Sequence, residues 1–102
     1  MKKSNLIGKH VIVRSNLAGV FFGVLVEKER DELTLKNARK LFYFSGANTV
    51  EDLATQGALD VSNCKFTCSV DSITISKFEQ ILPCTKEAIN QINSVPVWKY
   101  QN

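Results

Sequence analysis

The stretch Gly19-Val20-Phe21-Phe22-Gly23-Val24-Leu25-Val26 constrains this chain more than any other. β-Branched and aromatic residues in a row predict a strand, and along a strand successive side chains point to opposite faces. Val20, Phe22, Val24 and Val26 then share one face, with Phe21, Gly23 and Leu25 on the other. Both faces are apolar. A small sheet with one side in water would alternate apolar with polar residues, so the second face is expected to be covered by something other than the chain's own core. The apolar run, Ala18 to Val26, falls far short of the roughly 20 residues a helix needs to cross a bilayer.

The flanking segments extend this into a fold. Val11, Ile12 and Val13 predict a first strand over His10 to Arg14, closed by the turn-forming Ser15-Asn16. The charged run Glu27 to Glu32 predicts a hairpin turn, and a third strand follows from Leu33 to Phe44. Its polar middle, Lys36 to Lys40, leaves room for a β-bulge that would re-aim the side chains that follow, so faces are assigned only as far as Asn37. Ser45-Gly46-Ala47-Asn48 breaks the strand. Thr49 followed by Asp52 resembles a capping box with a shortened acid, opening a helix over Val50 to Gln56 that Gly57 ends. Lys65 to Ile75 alternates again, with Phe66, Cys68 and Val70 inward, and Lys77 to Cys84 predicts one more strand in which Pro83 suits an edge or an end. Thr85 caps a helix over Lys86 to Ser94 with Ala88, Ile89 and Ile92 as its buried stripe, and Val95-Pro96-Val97-Trp98 is extended. The expected architecture is α+β: a strongly curved antiparallel sheet or small open β-barrel of five to six strands with two short helices, in a single domain spanning 1–102.

A chain of 102 residues that is 44% hydrophobic and 23% charged can bury one core and is neither disordered nor fibrous. The N-terminus lacks the apolar stretch of a secretory leader, Cys64, Cys68 and Cys84 are odd in number, and no Asn-x-Ser/Thr site occurs, so a cytoplasmic protein without membrane attachment is expected. Catalytic signatures are missing. His10 is the lone histidine, the cysteines lack zinc spacing, and Cys64 and Cys68 read as core packing. Cys84 has no neighbouring base. Glu27, Glu29, Asp31 and Glu32 crowd one solvated turn, while Glu51 and Asp52 complement a helix dipole. No phosphate loop is present. The chain is therefore read as a non-enzyme without cofactor or metal.

The charge and aromatic maps are less ordinary. Thirteen Lys and Arg against ten Asp and Glu leave a net charge of +3, unevenly spread. Lys2, Lys3, Lys9 and Arg14 precede any acid, and Lys36, Arg39 and Lys40 run directly into Phe42, Tyr43 and Phe44. Cations pair with phosphate, aromatic faces stack on bases, and Ser15, Asn37, Ser45 and Asn48 offer hydrogen bonds to base edges or sugar hydroxyls. The plainer reading makes the aromatics core and the cations a wet edge that blunts aggregation.

Several of these segments resemble a known family. Ala18-Gly19-Val20-Phe21-Phe22-Gly23, the run Leu35-Lys36-Asn37-Ala38-Arg39-Lys40-Leu41-Phe42-Tyr43-Phe44-Ser45-Gly46-Ala47, and Asn63-Cys64-Lys65-Phe66 are similar to segments of the phage anti-CBASS cyclic-nucleotide sponges. So are Ile81-Leu82-Pro83-Cys84-Thr85 and Val95-Pro96-Val97-Trp98, and the likeness covers nearly the whole chain. Phe42 and Phe44 stand where that family allows tryptophan, and Lys40 where it allows arginine, which implies less stacking area and weaker bidentate phosphate contact here. The resemblance implies sequestration of cyclic dinucleotides such as 3'3'-cGAMP without cleavage, by mass action, in a homo-oligomer (tetramer favoured) with ligands between protomers. It implies that a neighbouring subunit covers the second apolar face of the Val20 strand. Arg14, Lys36 and Arg39 become the phosphate partners, with Phe42, Tyr43, Phe44 and Trp98 as stacking surfaces and Ser15, Asn37, Ser45 and Asn48 as hydrogen-bonding groups. On that reading Arg39→Ala weakens binding by about 1.5 to 3 kcal/mol without unfolding the chain. A small-barrel RNA or single-stranded DNA binder, a protein-contact inhibitor of a host factor and, last, a phosphodiesterase are the rival readings.

Overall fold

The computed structural model describes residues 6–99, so Lys2 and Lys3 of the N-terminal basic run lie outside the described residues. Three strands follow one another: β1 (His10–Ser15), β2 (Gly19–Glu29) and β3 (Glu32–Tyr43). The charged segment is mostly strand, and the hairpin turns only at Arg30-Asp31, where Arg30 takes a φ of 56°. Then come α1 (Val50–Gln56), a 3-10 turn over Val61–Asn63, β4 (Lys65–Phe66), β5 (Val70–Ser76), β6 (Gln80–Pro83) and α2 (Lys86–Ser94). All strand pairings are antiparallel: β3 lies between β2 and the β4 and β5 segments, and β1 between β2 and β6.

The bulge falls inside the polar middle of β3. Phe22 pairs with Arg39 and Val24 with Lys36, so two steps along β2 match three along β3. Asn37 absorbs the extra residue at a φ of 51°, a conformation that asparagine tolerates better than most residues. Facing it, Gly23 is tightly packed: a Cβ there would sit 3.1 Å from the Lys36 carbonyl oxygen and 3.1 Å from the Ala38 Cα, so the neighbours would have to give by a few tenths of an ångström. The face of β3 flips as a result. Leu33, Leu35 and Ala38 join one apolar cluster while Leu41 joins the other.

The link from β5 to β6 shows how strongly the sheet curls. β5 lies on β3 and β6 on β1, four strand spacings apart, or about 19 Å if the sheet were flat. Ser76 and Gln80 are joined by only Lys77-Phe78-Glu79, a reach of about 14 Å at most. The sheet therefore wraps until its far sides approach, though β5 and β6 do not pair and no barrel closes.

Wrapping also corrects an expectation about β2. Phe22 lies with Ile12, Leu41, Leu53, Phe66, Ala88 and Ile92 under the two helices, whereas Phe21 and Leu25 lie with Val11, Val13, Leu33, Leu35 and Ile75 inside the curl. Both apolar faces are thus covered by the chain's own residues, because a curled sheet packs one face on itself. Val26, near the hairpin tip, remains 43% exposed.

β4 and β5 together line one edge of β3, interrupted at residues 67–69. Thr67 holds the interruption: its amide donates to the Lys40 carbonyl at 2.9 Å and its hydroxyl accepts from the Lys40 amide at 2.8 Å. The break turns Cys68 and Val70 outward to solvent, correcting the expectation that both face the core with Phe66. Both caps form. The Thr49 hydroxyl accepts from the Asp52 amide, while the Asp52 carboxylate reaches the Asn48 amide, one residue upstream of its place in a capping box. The Thr85 hydroxyl accepts from the Ala88 amide at 3.0 Å and donates to the Thr55 carbonyl, so the cap of α2 also ties it to α1. Ala88 and Ile92 are buried and Ile89 is half-buried. Among the described residues no helix is long and apolar enough to cross a membrane.

Candidate functional site

The last residues of β3 carry an aromatic surface. Phe42 and Tyr43 are 59% and 53% exposed, an unusual state for strand aromatics beside an apolar core. The extended tail supplies a third ring. Val97 forms a parallel bridge with Phe66 and the Trp98 amide donates to the Phe66 carbonyl at 2.9 Å, so the tail runs along the outer edge of β4. This lays the Trp98 indole on Phe42, with centroids 5.6 Å apart and planes inclined by only 2°. Lys65, opposite Tyr43 on β4, places its ammonium 5.2 Å from the indole centroid. Trp98 remains 49% exposed.

Two open grooves flank that indole. One of about 460 Å³ is lined by Tyr43, Ser45, Ser62, Asn63, Cys64, Lys65 and Trp98. The other, of about 410 Å³, runs from Val61 and Ser62 past Cys64 to Pro96, Val97 and Trp98. Each lies in the range of small-molecule sites. Hydrogen bonds cross-link the groove wall: the Asp60 carboxylate accepts from Asn63 Nδ2 at 2.8 Å and from Ser45 Oγ at 2.9 Å. Those donors hold the Asp60 carboxyl below its ordinary pKa, Asn63 contributing most. Gly46 allows the two loops to meet. Its φ is 82°, and a Cβ there would lie 2.3 Å from the Asp60 amide nitrogen and 2.7 Å from that of Leu59.

The residues nominated from sequence divide into groups. Phe42, Tyr43, Ser45 and Trp98 meet at the aromatic ledge, although the Ser45 hydroxyl is engaged with Asp60. Arg14, Phe44 and Asn48 line a separate groove of about 340 Å³ with Val20, Glu51 and Gln80. Lys36 and Asn37 are exposed at the bulge, six residues from Phe42 along β3, or roughly 20 Å.

Arg39 and Ser15 correct the sequence reading. Arg39 is 6% exposed: Nε donates to the Thr67 carbonyl at 2.9 Å, and one terminal nitrogen donates to the carbonyls of Ile92 at 3.2 Å and Val95 at 3.0 Å. Its guanidinium lies 5.2 Å from the Phe66 ring centroid, and burial lowers its pKa. A side chain committed to the last carbonyls of α2 is not placed to meet a phosphate in solution. Ser15 is 3% exposed and its hydroxyl accepts from the Ala18 amide, closing the β1–β2 turn. Lys65, Ser62 and Asn63 were missed, although Asn63-Cys64-Lys65-Phe66 carries one of the resemblances. The signal available was the position of Lys65 one residue before a buried aromatic, on the outward face of a strand.

Nucleophilic chemistry finds little support. Burial pushes the Cys84 thiol up to about 12, the reverse of activation, and Cys64 is buried with its thiol against the Ser45 and Asp60 carbonyls. Among the described residues no three His, Cys, Asp or Glu side chains gather as a metal site.

No curated protein and no solved structure matches the chain. Residues 8–92, from just before β1 to within α2, match a family model described as a domain of unknown function, DUF6948, and the chain belongs to that family.

Proposed function

We propose that this protein binds cyclic dinucleotides at the Phe42–Trp98 ledge and sequesters them unaltered, as a phage protein that keeps a host CBASS effector inactive in the bacterial cytoplasm. The observation that carries the reading is the pair of parallel, half-exposed rings with an ammonium over the indole. An exposed aromatic face stacks on a purine or pyrimidine for about 1 to 3 kcal/mol per base. Lys65 supplies the cation for a neighbouring phosphate, and Ser62 and Asn63 line the same groove with polar groups. The sequence resemblance adds the ligand class. Inhibition by capture requires only affinity and stoichiometry, and the absence of a reaction step fits a groove whose nearest thiol is buried.

Trp98 is the single tryptophan, so its fluorescence reports the site directly. Titration with 3'3'-cGAMP and other cyclic dinucleotides is expected to quench it saturably, and ligand released by heating should elute intact. Cleaved product would make the protein a phosphodiesterase. Quenching by single-stranded DNA or RNA alone, falling steeply with salt, would move the assignment to nucleic-acid binding. No response to any of these would end the nucleotide reading.

A further inference from the structure

We infer that β5 pairs antiparallel with β5 of a second copy of this chain, Thr74 opposite Thr74, joining the two sheets. The inference concerns the ligand-free protein and does not rest on the nucleotide reading. Other edges of the sheet are protected. The tail occupies the outer side of β4 through the Phe66–Val97 bridge, and β6 is four residues long and ends in Pro83. β5 is different. Seven residues long, it holds a regular register with β3 on one side and pairs with no other strand among the described residues. It contains neither proline nor lysine, the usual devices that keep an edge from recruiting another strand.

Side-chain complementarity selects one register. Because paired residues must share a face, self-pairing can centre only on a residue. Centring on Thr74 sets Ile73 opposite Ile75, Ser72 opposite Ser76, and Asp71 beside Lys77 of the second copy, each contact occurring twice. Ile73 and Ile75 already point into the curl, and the Thr34 and Thr74 hydroxyls are hydrogen-bonded at 3.1 Å, so the new pair lengthens an existing row of threonines. Centring on Ile73 would face Asp71 with Ile75, and centring on Ile75 would face Ile73 with Lys77. Both bury a charge against an aliphatic side chain. Asp71 and Lys77 are exposed, and no ion pair engages either within the described chain.

The test is sedimentation equilibrium of the full chain over a wide concentration range, with circular dichroism as the control for folding. Wild type should show a concentration-dependent dimer. Asp71→Lys, which sets two like-charged pairs where two opposite ones stood, should raise the dimer dissociation constant about tenfold or more. The exchange Asp71→Lys with Lys77→Asp should restore association, the aspartate being well tolerated at the positive φ of residue 77, which is 56°. A wild-type chain that stays monomeric at the highest concentration overturns the inference. So does association that Asp71→Lys leaves unchanged, or a double exchange that fails to restore it.

Discussion

Arg39 and Lys65 make the same kind of contact at the same distance, each with its charge 5.2 Å from an aromatic centroid, and they serve opposite ends. Arg39 lies over Phe66 in the interior, where Nε and one terminal nitrogen donate to the Thr67, Ile92 and Val95 carbonyls and the other terminal nitrogen is buried without a partner among the described residues. Lys65 lies over Trp98 at the surface, exposed and lining an open groove. Desolvation makes the difference. A buried cation is held because every alternative leaves polar groups unpaired, whereas a solvated one exchanges partners at little cost. The interior pair belongs to stability, and the surface pair is the one proposed to meet a ligand.

Removing Arg39 should break the interior half of this comparison. Arg39→Ala takes a donor from the Thr67 carbonyl after β4 and from the Ile92 and Val95 carbonyls at the end of α2, and is expected to cost about 3 kcal/mol, a fall of about 15 °C in Tm, measured by urea and thermal unfolding. This replaces the sequence-based expectation that the same change acts on binding alone. Gly46→Ala tests the wall between the two halves. It drives a methyl group into the backbone of Leu59 and Asp60 and should cost about 2 kcal/mol, visible as a lower urea midpoint.

The surface half is sharpened by Lys65→Ala. Dinucleotide affinity should fall about tenfold, read from Trp98 fluorescence, while unfolding free energy changes by less than about 0.5 kcal/mol. If stability falls instead, Lys65 belongs with Arg39. Thr85→Ala removes the cap of the helix whose last carbonyls Arg39 holds, and should cost about 1 kcal/mol in the same unfolding assay without moving affinity. The smallest effect lies at Asp60. Its carboxyl titrates below the ordinary value, so its contribution is fully present above the unfolded pKa and is lost as pH falls through the folded one. Carboxyl NMR should place that midpoint lower in the wild type than in Asn63→Ala, because Asn63 supplies the larger share of the shift.

Much of the framework was legible because it is local. The helix limits at Val50–Gln56 and Lys86–Ser94 follow from Thr49 and Thr85, whose caps act within three residues. The bulge was legible as a place, from a polar interruption in an apolar strand, and Asn37 with its positive φ occupies it. Its effect on faces was not, since that depends on which residue is inserted. The aromatic ledge was half legible: Phe42, Tyr43 and Trp98 were marked, but Lys65 was hidden because only the β3–β4 pairing brings it opposite Tyr43.

By itself the sequence determined where strands begin and helices are capped, and that the Val20 to Val26 strand must be covered on both faces. Those properties arise from alternation and from hydrogen bonds between near neighbours. Tertiary structure decided what covers that strand and which cation is buried. The curl supplied the second face from the chain itself, and the carbonyls that hold Arg39 lie 28, 53 and 56 residues away. A guanidinium is drawn inside only when such distant acceptors converge, and no local pattern records that convergence.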